Sequence, residues 1–147
     1  MVEVTRTFTV AATPERTLAY LRDFANTTEW DPGTQSCEQV SPGPIEVGTR
    51  WHNRSKIVGI KTELIYELIR SEPGRVVFRG TNKTASATDD MAVSPGDLPG
   101  TTRITYHATI DFQGAAKLVS PIAQVVFAKV GSDVVRSLTA VFERQNG

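Results

Sequence analysis

The sequence predicts an α+β domain in which an antiparallel meander packs against a long C-terminal helix. Three observations predict it. The first ten residues alternate in polarity, strand-like segments between residues 34 and 112 are broken by Pro-Gly turns, and an apolar stripe runs from Leu118 to Phe142 at a spacing of four. Each element follows from residue types in order along the chain.

Val2, Val4, Phe8 and Val10 share one parity and Glu3, Thr5, Thr7 and Thr9 the other, as in a strand buried on one face. Thr13-Pro14-Glu15-Arg16 then supplies a cap, a proline at the first helical position and an early acid. Leu18, Leu21 and Phe24 follow at helical spacing, so a short helix to about Phe24 is expected. Asn26 can cap one further turn ending at Trp30, where TTEWDPG closes with the turn chemistry of Asp31-Pro32-Gly33. The meander is expected to break at Ser41-Pro42-Gly43-Pro44, Val58-Gly59, Glu72-Pro73-Gly74 and Ser94-Pro95-Gly96.

Within it, Trp51, Asn53, Ser55 and Ile57 share one face, and Arg50, His52, Arg54 and Lys56 the other. A two-residue hairpin at Val58-Gly59 sets Trp51 opposite Tyr66, Asn53 opposite Leu64, Arg50 opposite Glu67 and Arg54 opposite Glu63. Ile104, Tyr106, Ala108, Ile110 and Phe112 then form a core face backed by Arg103, Thr105, His107, Thr109 and Asp111. The last helix carries Leu118, Ile122, Val126, Val130, Val134, Leu138 and Phe142, a drifting stripe suited to lying obliquely across a curved sheet. Pro121 is either a kink or the first residue after a Ser120 cap.

The chain has 147 residues, 16 basic and 16 acidic, which fits one domain (1–147) and removes the long-range field of nucleic-acid and anionic-membrane binders. No nucleic-acid partner and no stable membrane insertion are expected. One cysteine, Cys37, allows no internal disulfide, and two histidines fall short of a closed zinc site; no metal or cofactor is called for. The alternating N-terminus lacks signal-peptide features, and the expected compartment is a reducing cytoplasm. Asn-x-Ser/Thr triplets at Asn26, Asn53 and Asn82 are read as chance.

Several local patterns occur in a telling order: the alternating first strand, Thr13-Pro14-Glu15, Glu29-Trp30-Asp31-Pro32, and Val47-Gly48-Thr49. Glu72-Pro73, Val76-Val77-Phe78-Arg79-Gly80, and Thr101-Thr102-Arg103-Ile104-Thr105-Tyr106 follow. Over nearly the whole chain this order resembles the START-like (helix-grip) superfamily, specifically the bacterial polyketide cyclase/dehydrase and lipid transport family. The resemblance implies a curved antiparallel sheet of about seven strands gripping the last helix, with two short helices after strand one and an apolar cavity for a hydrophobic small molecule. A carrier or sensor of a lipid, isoprenoid or polyketide-like compound is the expected role. A cyclase/dehydrase or aromatase-type enzyme is the alternative, and a protein-interaction module related to quinone-binding START-like proteins the second; fold alone does not choose.

Catalysis would need an inward-pointing proton acceptor or donor. His52 and His107 fall on the outer parity, and Cys37 has no basic neighbour in sequence, so no catalytic residue is assigned. Asp89 and Asp90 are adjacent on a strand, point to opposite faces and cannot act as a pair; loop solvation or a pairing with Arg6 is expected for them. Arg6 sits in the apolar parity of strand one and must snorkel, pair with a carboxylate or meet an anionic ligand. The residues expected to contact a ligand are Arg6, Trp30, Trp51, Asn53, Ser55, Tyr66, Phe78, Tyr106, Phe112, Ile122 and Val126. Asp31 is expected to organise its turn and Trp30 to pack at the cavity mouth.

Overall fold

The structure, a computed structural model, describes residues 1–57 and 60–146. Strand β1 (Val2–Val10) leads to helix α1 (Pro14–Arg22), a 3-10 turn (Phe24–Asn26) and helix α2 (Thr27–Trp30). Strands β2 (Thr34–Gln39), β3 (Arg50–Ile57), β4 (Ile60–Glu72), β5 (Arg75–Thr81), β6 (Ala85–Pro95) and β7 (Thr102–Phe112) follow, then a second 3-10 turn (Gly114–Val119) and helix α3 (Ser120–Asn146). One antiparallel seven-stranded sheet has the order β1-β7-β6-β5-β4-β3-β2. This is the helix-grip arrangement of START proteins, with the long last helix on the inner face of the sheet.

The alternation of β1 becomes its burial: Val2, Val4 and Val10 are buried while Glu3, Thr5, Thr7 and Thr9 are exposed. Thr13 caps α1, its Oγ1 accepting from Arg16 N, and Pro14 occupies the first turn where its missing N–H costs nothing. The expected helix end at Phe24 moves back to Arg22. Asp23 caps the 3-10 turn by accepting from Ala25 N, and Asn26 stands at the N-cap position of α2 as expected but makes no capping bond, donating its side-chain amide to Tyr20 O instead. A carboxylate can only accept, so the aspartate takes the free N–H and the asparagine amide serves the carbonyl.

The β3–β4 register is the one expected, with Trp51 opposite Tyr66, Asn53 opposite Leu64, Arg50 opposite Glu67 and Arg54 opposite Glu63. The Val58-Gly59 connection itself lies outside the described residues. Pro73-Gly74 joins β4 to β5 as expected, but a further break falls between β5 and β6, where neither glycine nor proline marks it. Asn82 makes that turn: its Oδ1 accepts from Thr84 N and Ala85 N, each at 2.8 Å. Pro121 sits in the first turn of α3 rather than at a kink.

The core is densest where α1, the first 3-10 turn and the C-terminal half of α3 meet the sheet. Phe24 projects into a ring of Trp30, Trp51, Tyr66 and Phe78, with its centroid 4.4 Å from that of Tyr66 and 4.5 Å from that of Phe78. Val134, Leu138, Val141 and Phe142 bury the C-terminal half of α3. Gly131 sets its closest approach to β1, since a Cβ there would lie 2.7 Å from Val4 Cγ2. N-terminal to Gly131 the helix stays tied to the β1 edge, Gln124 donating its side-chain amide to Glu3 O at 2.8 Å and accepting from Glu3 N at 3.1 Å, while Ile122 and Val125 are exposed.

Candidate functional site

An apolar cavity of about 500 Å³ lies between the inner face of the sheet and the first turns of α3. Its walls come from Leu64 on β4, Ala85 and Ala87 on β6, Ile110 and Phe112 on β7, Ala116 in the second 3-10 turn, and Ile122, Ala123, Val126 and Phe127 on α3. Small residues at 85, 87, 116 and 123 explain why the volume is not filled by side chains. Lys61 contributes to the mouth. Leu118, Ile122 and Val125, at helical spacing beside it, are respectively 84%, 71% and 73% exposed.

Further along the same face, beyond the cavity lining, polar side chains appear. Ala87 and Asp89 are two apart on β6, Leu64 and Tyr66 two apart on β4, so both polar side chains follow the cavity floor about 7 Å deeper. Tyr106 Oη donates to Asp89 Oδ1 at 3.2 Å, and the Tyr66 ring lies flat over Gly80, where any Cβ would meet it at 2.7 Å. Asp89 keeps some accessible surface, yet burial is the chief cause that pushes its carboxyl up to about 7. The Asp31 carboxylate adds to the rise and the Tyr106 hydrogen bond opposes it. Burial and the same two aspartates hold the Tyr66 and Tyr106 phenols well above their ordinary value.

Asp31 completes the group from the turn after α2. It accepts from Gly33 N and Thr34 Oγ1, both at 3.0 Å, so it organises the turn as expected. Burial nonetheless raises its carboxyl against those two hydrogen bonds. A chain of hydrogen bonds runs outward from it: Asn53 Nδ2 donates to Thr34 Oγ1, and Ser55 Oγ to Asn53 Oδ1 at 2.6 Å. The polar capacity of Asn53 and Ser55 is thereby largely met within the protein.

Of the residues expected to contact a ligand, Phe112, Ile122 and Val126 line the cavity. Tyr66, Tyr106, Trp51, Phe78, Asn53 and Ser55 are not part of its lining and are buried in the interior. Trp30 is 2% exposed and edge-on to Tyr106, in the interior rather than at the mouth. Its indole Nε1 has no acceptor among the described residues. Arg6 follows none of the carboxylate routes. It curls over the sheet edge to α3, donating to Ala128 O at 3.0 Å and Ser132 Oγ at 3.4 Å, because helix carbonyls lie nearer than any acid.

The expectation for the adjacent aspartates is corrected in part. They do point to opposite faces, but neither is in a loop and neither meets Arg6. Asp90 pairs on the outer face with Arg75, whose Nε donates at 2.9 Å, and Asp89 faces inward. His52 and His107 are on the outer face, 3.1 Å from Glu63 and 3.2 Å from Glu3. Cys37 is buried, and burial raises its thiol. Among the described residues no cluster of His, Cys, Asp and Glu is arranged to hold a metal ion, and no helix is long and apolar enough to cross a membrane.

The family model described as polyketide cyclase / dehydrase and lipid transport matches residues 1–143. Among solved structures, the chain is similar to a START superfamily protein from Mycobacterium smegmatis, with 14% identity over 97% of this chain and 98% of that one and a TM-score of 0.80. It is similar to a protein from Thermus thermophilus at 16% identity, covering 99% of each chain with a TM-score of 0.81. It also resembles the Zhui aromatase/cyclase from Streptomyces sp. R1128 at 13% identity, covering 99% of this chain and 95% of that one with a TM-score of 0.80. At these identities the likeness is one of fold. A comparison with curated proteins finds no match.

Proposed function

Because the chain belongs to the polyketide cyclase/dehydrase and lipid transport family, we propose that it binds a hydrophobic small molecule between its sheet and the N-terminal half of α3. The observation that carries this reading is the apolar cavity of about 500 Å³, inside the roughly 300–1,000 Å³ range of small-molecule sites. Removing about 300 Å² of apolar ligand surface from water yields roughly 7 kcal/mol before association costs, enough for micromolar affinity with little polar help. A lipid, isoprenoid or polyketide-like compound fits that description.

The test is native mass spectrometry of the purified protein with extraction of any bound compound, alongside titration with the neutral fluorescent probe N-phenyl-1-naphthylamine. A bound apolar compound, or saturable one-to-one probe binding, supports the reading. A protein that is empty and also ignores the probe sinks it.

One observation favours catalysis as a second reading. Asp89, its carboxyl raised to about 7 and hydrogen-bonded to Tyr106, is an inward ionisable pair of the kind a cyclase/dehydrase reaction uses. The Asp89 carboxylate would take a proton from a carbon beside a ketone; the C–H electron pair would become an enolate whose oxygen accepts from the Tyr106 hydroxyl. Its carbon would add to a second ketone whose oxygen takes the proton back from Asp89, and removal of a second proton from that carbon by Asp89 would expel the new hydroxyl as water. Incubation with a poly-β-ketone thioester, followed by mass spectrometry, should then show loss of water that is abolished in Asp89→Asn. Identical products with and without protein remove this second reading and leave the first standing.

A further inference from the structure

Three features meet on the inner face of the sheet, one strand step beyond Leu64 and Ala87 of the cavity lining. Two carboxyl groups, Asp89 and Asp31, are close enough for Asp31 to raise Asp89. Phenols from two strands, Tyr66 and Tyr106, face the same pair, and Cys37 approaches from β2. No cationic side chain acts on either carboxyl group among the described residues: Arg6, the one cation of inward parity, is tied to Ala128 O and Ser132 Oγ on α3. The cavity's own cation, Lys61, is at the mouth.

On the reading that this cavity holds a ligand, we infer that its inner end accepts a neutral, hydroxyl-bearing group and excludes an anion. The ligand is thus an apolar molecule with an alcohol or phenol at its buried end, not an inward-pointing carboxylate. A hydroxyl can donate to the free oxygen of Asp89 and accept from a tyrosine Oη, so both partners stay satisfied in a dry site. An anionic head placed there would be a third negative group beside two carboxyls with nothing to compensate it. On this face the step from Asp89 toward the cavity is Ala87, flanked by Gly80 on β5 and Ile110 on β7, while Asp89 itself lies between Phe78 and Ala108, so small residues mark the path along β6. The raised carboxyl of Asp89 adds a pH signature: below about 7 it is largely neutral, and its repulsion of an anion is relieved.

The experiment compares 1-decanol with decane-1-sulfonate, which stays charged at every pH used, by competition against N-phenyl-1-naphthylamine. Asp89→Leu removes the charge and the acceptor while keeping the branched heavy-atom skeleton. The expected result is a crossing: decanol affinity falls about tenfold, the scale of one lost charge-assisted hydrogen bond, while sulfonate affinity rises. In the wild-type protein, sulfonate affinity falls between pH 5.5 and pH 8.5 and decanol affinity does not fall with it. That second measurement needs no variant to fold.

Affinities that ignore both Asp89 and pH, as when the sulfonate sits head-out against Lys61 and decanol lies anywhere along the cavity, overturn the inference. So do two ligands that move together. Wild-type protein that carries no co-purified compound and also fails to bind the naphthylamine probe overturns the cavity reading itself, and so separates the two failures.

Discussion

At the scale of the residue, Asp89 carries the most chemistry and was the least visible. It sits in the run Thr88-Asp89-Asp90, which reads as solvated, but its parity with Ala87, Met91 and Val93 places it on the inner face. Parity alone could have found it; the adjacent Asp90 concealed it by making the pair look like loop. Arg6 failed in the opposite way, because helix carbonyls as partners for a strand arginine depend on where α3 passes, which no local pattern encodes. Asp89 also makes a stability prediction. Its folded carboxyl titrates near 7 against an ordinary 3.8, so the folded state holds more protons than the unfolded one between those values. Stability therefore falls as pH rises from about 4 to about 7 and levels off above. Asp89→Asn should flatten that slope and stabilise the protein at pH 8 by on the order of 1–3 kcal/mol, a value discounted because the carboxyl retains some exposure. Urea midpoints for both proteins from pH 4.5 to pH 8 check this; parallel curves contradict it.

At the scale of the element, most boundaries were legible because turn chemistry is local. Thr13-Pro14, Asp31-Pro32-Gly33 and Pro73-Gly74 all mark real corners, and the β3–β4 register follows from the short connection between them. The β5–β6 turn escaped because Asn82 makes it through its side chain, with no backbone-breaking residue to announce it. The two halves of α3 were hidden for a different reason. Its stripe of apolar residues runs along the whole helix, yet full burial is reached only C-terminal to Gly131, at Val134, Leu138, Val141 and Phe142, while Phe127 and Val130 are partly buried and Ile122 is exposed. Since a Cβ at Gly131 would meet Val4, Gly131→Leu should lower stability by about 1–3 kcal/mol, the usual cost of overpacking, even though leucine favours helix more than glycine does. Chemical denaturation reads this directly, and an unchanged or increased midpoint would show that the helix is free to shift.

At the scale of the molecule, the order of elements settled the architecture, whereas the location of the cavity was only partly legible. Aromatic content suggested that Trp51, Tyr66 and Phe78 surround a ligand. In the structure Phe24 occupies that ring, and the open volume lies instead where Ala85, Ala87, Ala116 and Ala123 leave it. Large residues advertise a core, while a cavity is made by small ones facing each other across elements distant in sequence. That difference supplies the most direct test of the central claim. Ala123 lines the cavity and lies outside the fully buried part of α3, so Ala123→Phe can fill the cavity without overpacking the core. N-phenyl-1-naphthylamine should bind wild-type protein one-to-one and bind Ala123→Phe at least about tenfold more weakly, by at least about 1.4 kcal/mol, with the thermal midpoint unchanged or raised. Equal affinity in the two proteins would place the ligand elsewhere and contradict the account.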